Sequence, residues 1–464
     1  MKSDPLVTIY IPCRNYGRFL RQCVESVFQQ LYSNWELVIV DECSDDDTIE
    51  VAEELCRRFP SKAKLLRNSK PAGLQRLANS ILGIANGKYM IRLDADDWLD
   101  ESALLVMVAK LESLPNSGLV YGNYFYTDSN GKVLGIERQH KLASEGNFRY
   151  LPPHGACTMF RTRSLRAVGG YSEDVKAQDG WELWYKLLNR INPTNVDVPI
   201  FYYRQHDASL SRDQNRLLNA RSRIFERLSH SLSGDYNLKN VAVIPVKESY
   251  PGFEGVPFQK FGDSSLLERA INTAAKSSKV SSVVVSSSSQ RVLDYAKELE
   301  FSGAVPTHLR VLRSTEAESR NIPIRDLMTH AGEYFCSQSG EYPDAVAFLS
   351  IHAVYRSESH INEAFNVLRV TESDTVVSVK EERDPMFVYG EEGLELVNPG
   401  RFDDLTYDRE RLYRFNGSII ASWWDVLKQH HLFGEKIAFV EMSAEDSMQI
   451  TKPSLLKVAS EKSL

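Results

Sequence analysis

Positive charge is in short supply in this chain: 55 Lys and Arg stand against 62 Asp and Glu, a formal net charge of −7. That balance leaves no general basic face for a nucleic-acid backbone. Cysteine is scarce too. Its six residues (Cys13, Cys23, Cys43, Cys56, Cys157 and Cys336) are scattered with no CxxC pair, which excludes a zinc knuckle or a disulfide framework and leaves reduced core thiols. No apolar run approaches the ~20 residues of a bilayer span. The opening Met1-Lys2-Ser3-Asp4-Pro5 has no secretory hydrophobic region, so the expected location is the cytoplasm. What is present is a soluble globular composition, 42% hydrophobic and 25% charged. At 464 residues the chain exceeds one ordinary core, and two domains are expected.

The first half alternates strand and helix signals. Leu6 to Ile11 and Trp35 to Val40 are short apolar runs, with helical spacing from Tyr16 to Leu31 between them. A helix from Thr48 to Arg58, a strand from Ala63 to Arg67, a helix from Leu74 to Ala85 and a strand from Tyr89 to Leu93 continue the rhythm. A mostly parallel α/β sheet follows. Around Ser229 to Asn240 the periodicity gives way to small polar residues, which reads as a linker and sets domains at 1–232 and 233–464. Val241 to Pro245 then opens a second α/β domain, with a helix from Ser264 to Ser277 and a strand from Ser282 to Val285. No short repeat period is visible.

Carboxylates mark the strand ends. Asp94, Asp96 and Asp97 close an apolar run, and charges that close require protonation, solvent or a hard cation with oxygen ligands. Alone, this cluster suits a phosphatase or a nucleotidyltransferase as well as any other metal enzyme. Pro12-Cys13-Arg14-Asn15 and Asp41-Glu42-Cys43-Ser44 end two earlier strands, and in an open α/β sheet such ends converge on one crevice.

In this order the motifs resemble glycosyltransferase family 2, with its GT-A fold, over roughly residues 6 to 212. Val40-Asp41-Glu42-Cys43-Ser44 stands where the family has Val-Asp-Asp-Gly-Ser, so the second Asp is Glu42 and the Gly is Cys43. Asn79, in the helix before the Asp94 strand, falls in family order too. The resemblance implies that Asp41 or Glu42 accepts a hydrogen bond from the nucleotide base. Pro12, Asn15, Asp94 and Arg204 complete the nucleotide-sugar site, and Asp96, with Asp94 or Asp97, holds Mn²⁺ or Mg²⁺ on the diphosphate. Inversion needs a carboxylate to take the acceptor proton. Asp179, in Gln178-Asp179-Gly180-Trp181-Glu182, is the candidate base, against a reading as a plain helix cap; Glu182 is the fallback. His206, in Tyr203-Arg204-Gln205-His206, is either a metal or diphosphate contact or a structural hydrogen-bonder.

From Val241 onward the chain resembles the cytidylyltransferases that activate acylneuraminate, but with eroded site residues. Lys247 to Pro257 has lost the lysines and glycines of a phosphate loop, and Glu248 and Glu254 stand in it. Gln449 and Thr451 replace the metal carboxylates, and only Arg356 survives of another polar segment. Trp423 and Trp424 read as core or as a sugar platform.

The expectation is therefore a metal-dependent inverting glycosyltransferase of surface-polysaccharide assembly, joined to an inactive nucleotidyltransferase-like domain. Its donor is a nucleotide-diphosphate sugar, UDP-linked by preference, and its acceptor a glycan or glycoconjugate. A lipid-linked acceptor would bring it to a membrane surface, and the second domain would serve homo-oligomerisation. The rivals are a bifunctional transferase and CMP-sugar synthetase, with Lys247 needed for pyrophosphate release, and a nucleotide-sugar-binding scaffold without turnover.

Overall fold

The computed structural model describes residues 4–139, 155–173, 179–188, 190–206, 213–232, 238–305, 309–313, 322–382, 384–390, 393–397, 412–429 and 431–462. It divides into two compact units, Met1–Ala220 with Arg383–Glu410 and Arg221–Glu382 with Arg411–Leu464. Among the described residues no helix is long and apolar enough to cross a membrane.

The first unit opens β1 (Val7–Cys13), α1 (Gly17–Phe28), β2 (Trp35–Asp41), α2 (Thr48–Arg58), β3 (Ala63–Arg67), α3 (Leu74–Ile84) and β4 (Tyr89–Arg92). It continues β5 (Trp98–Leu99), α4 (Ala103–Ser113), β6 (Ser117–Thr127), β7 (Val133–Glu137), β8 (Met159–Arg161), α5 (Thr162–Ala167), α6 (Asp179–Leu188) and β9 (Asn192–Arg204). Helix α7 (Gln214–Ser231) follows. Ser229, His230 and Ser231, expected in the linker, instead close this helix, and residues 233–237 of that stretch lie outside the described residues.

The sheet runs β3-β2-β1-β4-β8-β6-β9-β5, with β7 on β6. The β1, β2, β3 and β4 pairings are parallel, β8 is antiparallel to both β4 and β6, and β9 is parallel to β6. Its central strands are apolar on both faces because helices cover both. Ile9 and Ile11 pack with Leu20, Val24 and Val27 of α1, while Tyr10 packs with Leu77 and Ile81 of α3 on the other side.

The second unit holds β10 (Asn240–Pro245), β11 (Lys260–Phe261), β12 (Ser264–Ser265), α8 (Leu266–Lys276), β13 (Ser282–Ser287), α9 (Gln290–Phe301), β14 (Leu309–Arg313), α10 (Ile324–Ser339) and β15 (Ala345–Leu349). Then come α11 (Glu358–Val370), β16 (Thr375–Glu382), β17 (Phe387–Gly390), β18 (Gly393–Leu396), β19 (Leu412–Trp423), α12 (Trp424–Lys428), β20 (Ile437–Glu441) and α13 (Pro453–Lys462), the β17–β18 hairpin falling with the first unit. Ser265 and Glu268 form a reciprocal capping box that fixes the start of α8. The sheet runs β14-β13-β10-β15-β19-β16-β20. Position by position, its pairing senses repeat those of β3-β2-β1-β4-β8-β6-β9: three parallel pairings, two antiparallel, one parallel.

Trp424 is 5% exposed and stacks on Tyr342, while the Trp423 indole N–H donates to the Ser373 carbonyl. Both are structural, and neither offers a free sugar platform.

Candidate functional site

Two loops at the carboxyl edge of the first sheet lock each other. Asn15 and Cys43 take left-handed backbone conformations, φ +59° and +61°, which Asn tolerates better than most residues. The Asn15 side-chain oxygen accepts the Asp45 amide at 2.7 Å, and the Asn15 amide donates to Ser44 Oγ at 2.9 Å. Tyr16 donates its amide to Thr48 Oγ1 at 3.0 Å, and Gly17 to Asp46 Oδ2 at 3.1 Å. Burial would raise the Asp46 carboxyl, yet hydrogen bonds from Thr48 and Gly17 hold it below the usual carboxylate range. Pro12 sits inside β1 opposite Val40, and Asp41, 1% exposed, accepts the Ser44 amide at 3.2 Å. Pro12, Asn15 and Asp41 are thus brought together in one rigid edge.

Glu42 is committed elsewhere. Its carboxylate accepts from the Asn68 side chain and from the amides of Ala72 and Gly73 at 2.8 and 2.9 Å. It ties down the loop between β3 and α3, which its extra methylene lets it reach.

Beyond β4 the chain turns through Asp94 to Asp97, the Asp97 amide donating to the Asp94 carbonyl at 3.0 Å. The three carboxylates go separate ways. Asp94 pairs with Arg92, Nε to Oδ1 at 3.0 Å. Asp96 Oδ2 lies 2.9 Å from His206 Nε2. Asp97 is 1% exposed and accepts the Arg204 amide at 2.9 Å, its other oxygen buried with no partner. Burial and the neighbouring Asp94 push the Asp96 carboxyl up; burial and the charges of Asp96 and Asp94 push Asp97 far above its usual range. Three carboxylates thus share this turn with Arg92, Arg204 and His206.

Arg204 is held within the protein. It is 2% exposed, and its guanidinium lies 4.6 Å from both the Phe19 and Trp98 ring centres. It donates to the carbonyls of Asp96 (2.8 Å) and Ser129 (2.9 Å) and to Gln22 Oε1 (2.6 Å). It braces the acidic turn from behind rather than facing a phosphate. The Asp97 carboxylate accepts the Arg204 amide from the same strand end.

Among the described residues no three His, Cys, Asp or Glu side chains gather into a ready-made metal cage. The donor set nevertheless fits a divalent cation that completes its shell with substrate oxygens: one carboxylate and one imidazole converge at Asp96 and His206, with Asp94 two residues away.

The start of α6 is brought to this place by small residues. A Cβ on Gly180 would lie 3.0 Å from the Gly155 Cα, and one on Gly155 would lie 3.5 Å from Arg92 Nη2. A side chain at Gly180 would be a tight fit against the Gly155 backbone, whereas one at Gly155 would make ordinary contacts. Asp179 opens the helix, and its side chain lies outside the described residues. Glu182, the fallback base, is 3% exposed and accepts the Ser172 hydroxyl, with Lys186 Nζ 3.7 Å away. It docks the helix instead.

Sequence reasoning passed over Arg92 and left Asn79 without a role. Arg92 was detectable as a lone cation inside an apolar strand, two residues before an acid. Asn79 accepts the Tyr171 amide at 2.8 Å and returns its own N–H to the Tyr171 carbonyl at 2.9 Å. Next to it Gly170 (φ +69°) has no room for a side chain, since a Cβ would come 2.3 Å from Asn79 Oδ1.

The model for Glycosyl transferase family 2 matches residues 8–169. The putative glycosyltransferase EpsE of Bacillus subtilis is 28% identical over 217 residues, covering 46% of this chain and 77% of that protein. The UDP-Glc:alpha-D-GlcNAc-diphosphoundecaprenol beta-1,3-glucosyltransferase WfgD of Escherichia coli is 26% identical over 250 residues, covering 53% and 96%. Of solved structures, S. aureus TarS 1-349 in complex with UDP-GlcNAc superposes at a TM-score of 0.41, with 17% identity over 49% of this chain and 68% of that one. The family match ends at residue 169, so the expected kinship of the second unit with cytidylyltransferases finds no support in it. Residues 8–169 are similar to glycosyl transferase family 2, and the protein is a glycosyltransferase.

Proposed function

We propose that the first unit transfers a sugar with inversion from a nucleotide-diphosphate donor, UDP-linked by preference, to a glycan or glycoconjugate acceptor in surface-polysaccharide assembly. The observation that carries this reading is the convergence of Asp96 and His206, 2.9 Å apart, at a strand-end turn shared by three carboxylates. Asp96 and His206, with Asp94 in reserve, would hold Mn²⁺ or Mg²⁺. Such an ion, when bound, offsets charge developing on the departing diphosphate. Arg92 restrains Asp94, and Arg204 holds the turn from behind. The locked edge of Pro12, Asn15 and Asp41 would receive the nucleoside. Asp179, opening α6 beside Arg92, is the proposed base that takes the acceptor hydroxyl proton. A lipid-linked acceptor, as in the name of the E. coli relative, would place the protein at the cytoplasmic membrane surface.

We read the second unit as nucleotidyltransferase-like in architecture and without turnover, since Gln449 and Thr451 offer no carboxylates; self-association is its proposed contribution.

A panel of nucleotide sugars with Mn²⁺ or Mg²⁺ should raise the melting temperature of the wild type. Asp96→Asn should lose that shift, whereas Asp179→Asn should keep it and lose turnover. Undiminished donor and metal binding by Asp96→Asn would remove the assignment.

A further inference from the structure

The second sheet repeats the first in strand order and pairing sense, so its strands too end on a crevice along their carboxyl edge. Register makes the two edges comparable. The last β1–β4 pair is Tyr10 with Arg92, and the last β10–β15 pair is Val243 with Phe348. Tyr10 faces α3 and Val243 faces α10, each being the helix that precedes the fourth strand of its order. Counting two and four residues on, Ser350 falls where Asp94 stands and His352 where Asp96 stands. A hydroxyl and an imidazole occupy the positions of two carboxylates.

The surroundings of these residues are polar, and the buried cation beside them, Arg356, is turned to backbone: its Nη1 donates to the Ser350 and Ser418 carbonyls at 2.8 and 3.1 Å. Ser350 Oγ donates to Gln449 Oε1 at 3.3 Å, and the Gln449 amide nitrogen, shielded from water, meets no acceptor among the described residues. Ser418 Oγ is likewise buried without a partner. His352 Nδ1 lies 2.8 Å from the Ile450 carbonyl, so that nitrogen carries the proton and Nε2 is left as an acceptor. Burial lowers the His352 pKa, against the opposing pull of the Ile450 carbonyl. The edge of Tyr250 packs on this imidazole at 4.6 Å. Nearby acid is already engaged: Glu248 accepts from Ser289 at 2.6 Å and from Arg291 at 2.9 Å. Buried amide and hydroxyl groups without partners call for a ligand that supplies both donors and acceptors. Diphosphate would meet no carboxylate-held cation here, whereas hydroxyl groups match an amide N–H and an imidazole nitrogen.

We propose that the strand-end crevice of the second unit, at Ser350, His352, Gln449 and Tyr250, is a carbohydrate-binding site that takes an uncharged sugar without a divalent cation. It does not depend on the transfer reaction assigned to the first unit. The full chain should be titrated, in EDTA and without nucleotide, with glucose, galactose, N-acetylglucosamine and N-acetylgalactosamine, followed by saturation-transfer difference NMR. Saturable binding of at least one sugar is expected, unchanged in Asp96→Asn and weakened about tenfold in His352→Ala and Gln449→Leu, a loss of one to two hydrogen bonds. Ser350→Ala serves in place of either variant that fails to melt like the wild type. The proposal is overturned if no sugar binds saturably, if His352→Ala and Gln449→Leu bind as wild type, if Asp96→Asn loses the sugar, or if CMP competes with it. Loss of sugar binding with donor-induced stabilisation intact would leave the first unit's function standing.

Discussion

At the scale of single residues, the carboxylates here divide by how their charge is met. Glu42 is satisfied by three donors of one loop, so Glu42→Ala would strand the Asn68 side chain and two amides. A loss of about 2–3 kcal/mol in urea unfolding is expected, consistent with the cost of buried donors left unpaired. Glu363 is the opposite case. It is 3% exposed on α11, and burial pushes its carboxyl up to about 8, against the opposing pull of Arg221 and Ser222, with Glu441 adding to the rise. A folded pKa above the unfolded 4.5 means the native state prefers the neutral acid. Its contribution is therefore complete at and below pH 4.5 and drains away as pH climbs to about 8. The unfolding free energy from urea titration should fall between pH 5 and pH 8, by up to ~1.4 kcal/mol per pH unit, and Glu363→Gln should flatten the slope. Composition and spacing revealed the acids at the strand ends, but not which were already spent. Glu42 and Arg204 read as ligands in sequence because their partners, Asn68, Ala72, Ser129 and Gln22, come from other elements.

At the scale of elements, placement of α6 is the sensitive step. Asn79 grips Tyr171 through two backbone hydrogen bonds, and Lys186 of α6 reaches back to Ser172 Oγ at 2.6 Å. Asn79→Ala should loosen the helix start without touching the donor edge. Its expected result is a fall in kcat of about 10-fold to 100-fold, from a misplacement on the scale of 1 Å, with donor-induced stabilisation kept; an equal loss of both would make Asn79 merely structural. Helix and strand limits were the most legible part of the chain. Thr48–Arg58 and Ala63–Arg67 fall where periodicity places them, because amphipathic spacing and flanking turn residues are local signals. A helix end is less legible: the polar run Ser229-His230-Ser231 reads as a loop but completes α7.

At the scale of the whole molecule, chelation should separate folding from binding. Asp96 and His206 already hold each other, so EDTA should leave the melting temperature of the unliganded protein unchanged while abolishing the donor-induced shift. A fall in the unliganded value would instead make a metal part of the fold. The repeated sheet order was the feature least visible in sequence. Apolar runs announce strands, but strand order is set by which edges meet. The two halves also reach the same order with different residues: Val7-Thr8-Ile9-Tyr10 in one first strand and Asn240-Val241-Ala242-Val243 in the other.

That difference has a use during synthesis. A chain with two sheets of one blueprint risks building a strand into the wrong copy. Where β1 packs Tyr10 against α3, β10 offers only Val243, so an exchanged strand would leave a void under one helix and overfill the space under the other. Side-chain volume along the first strand, greatest in its contrast at Tyr10 and Val243, would therefore penalise an exchange that hydrogen bonding alone would permit.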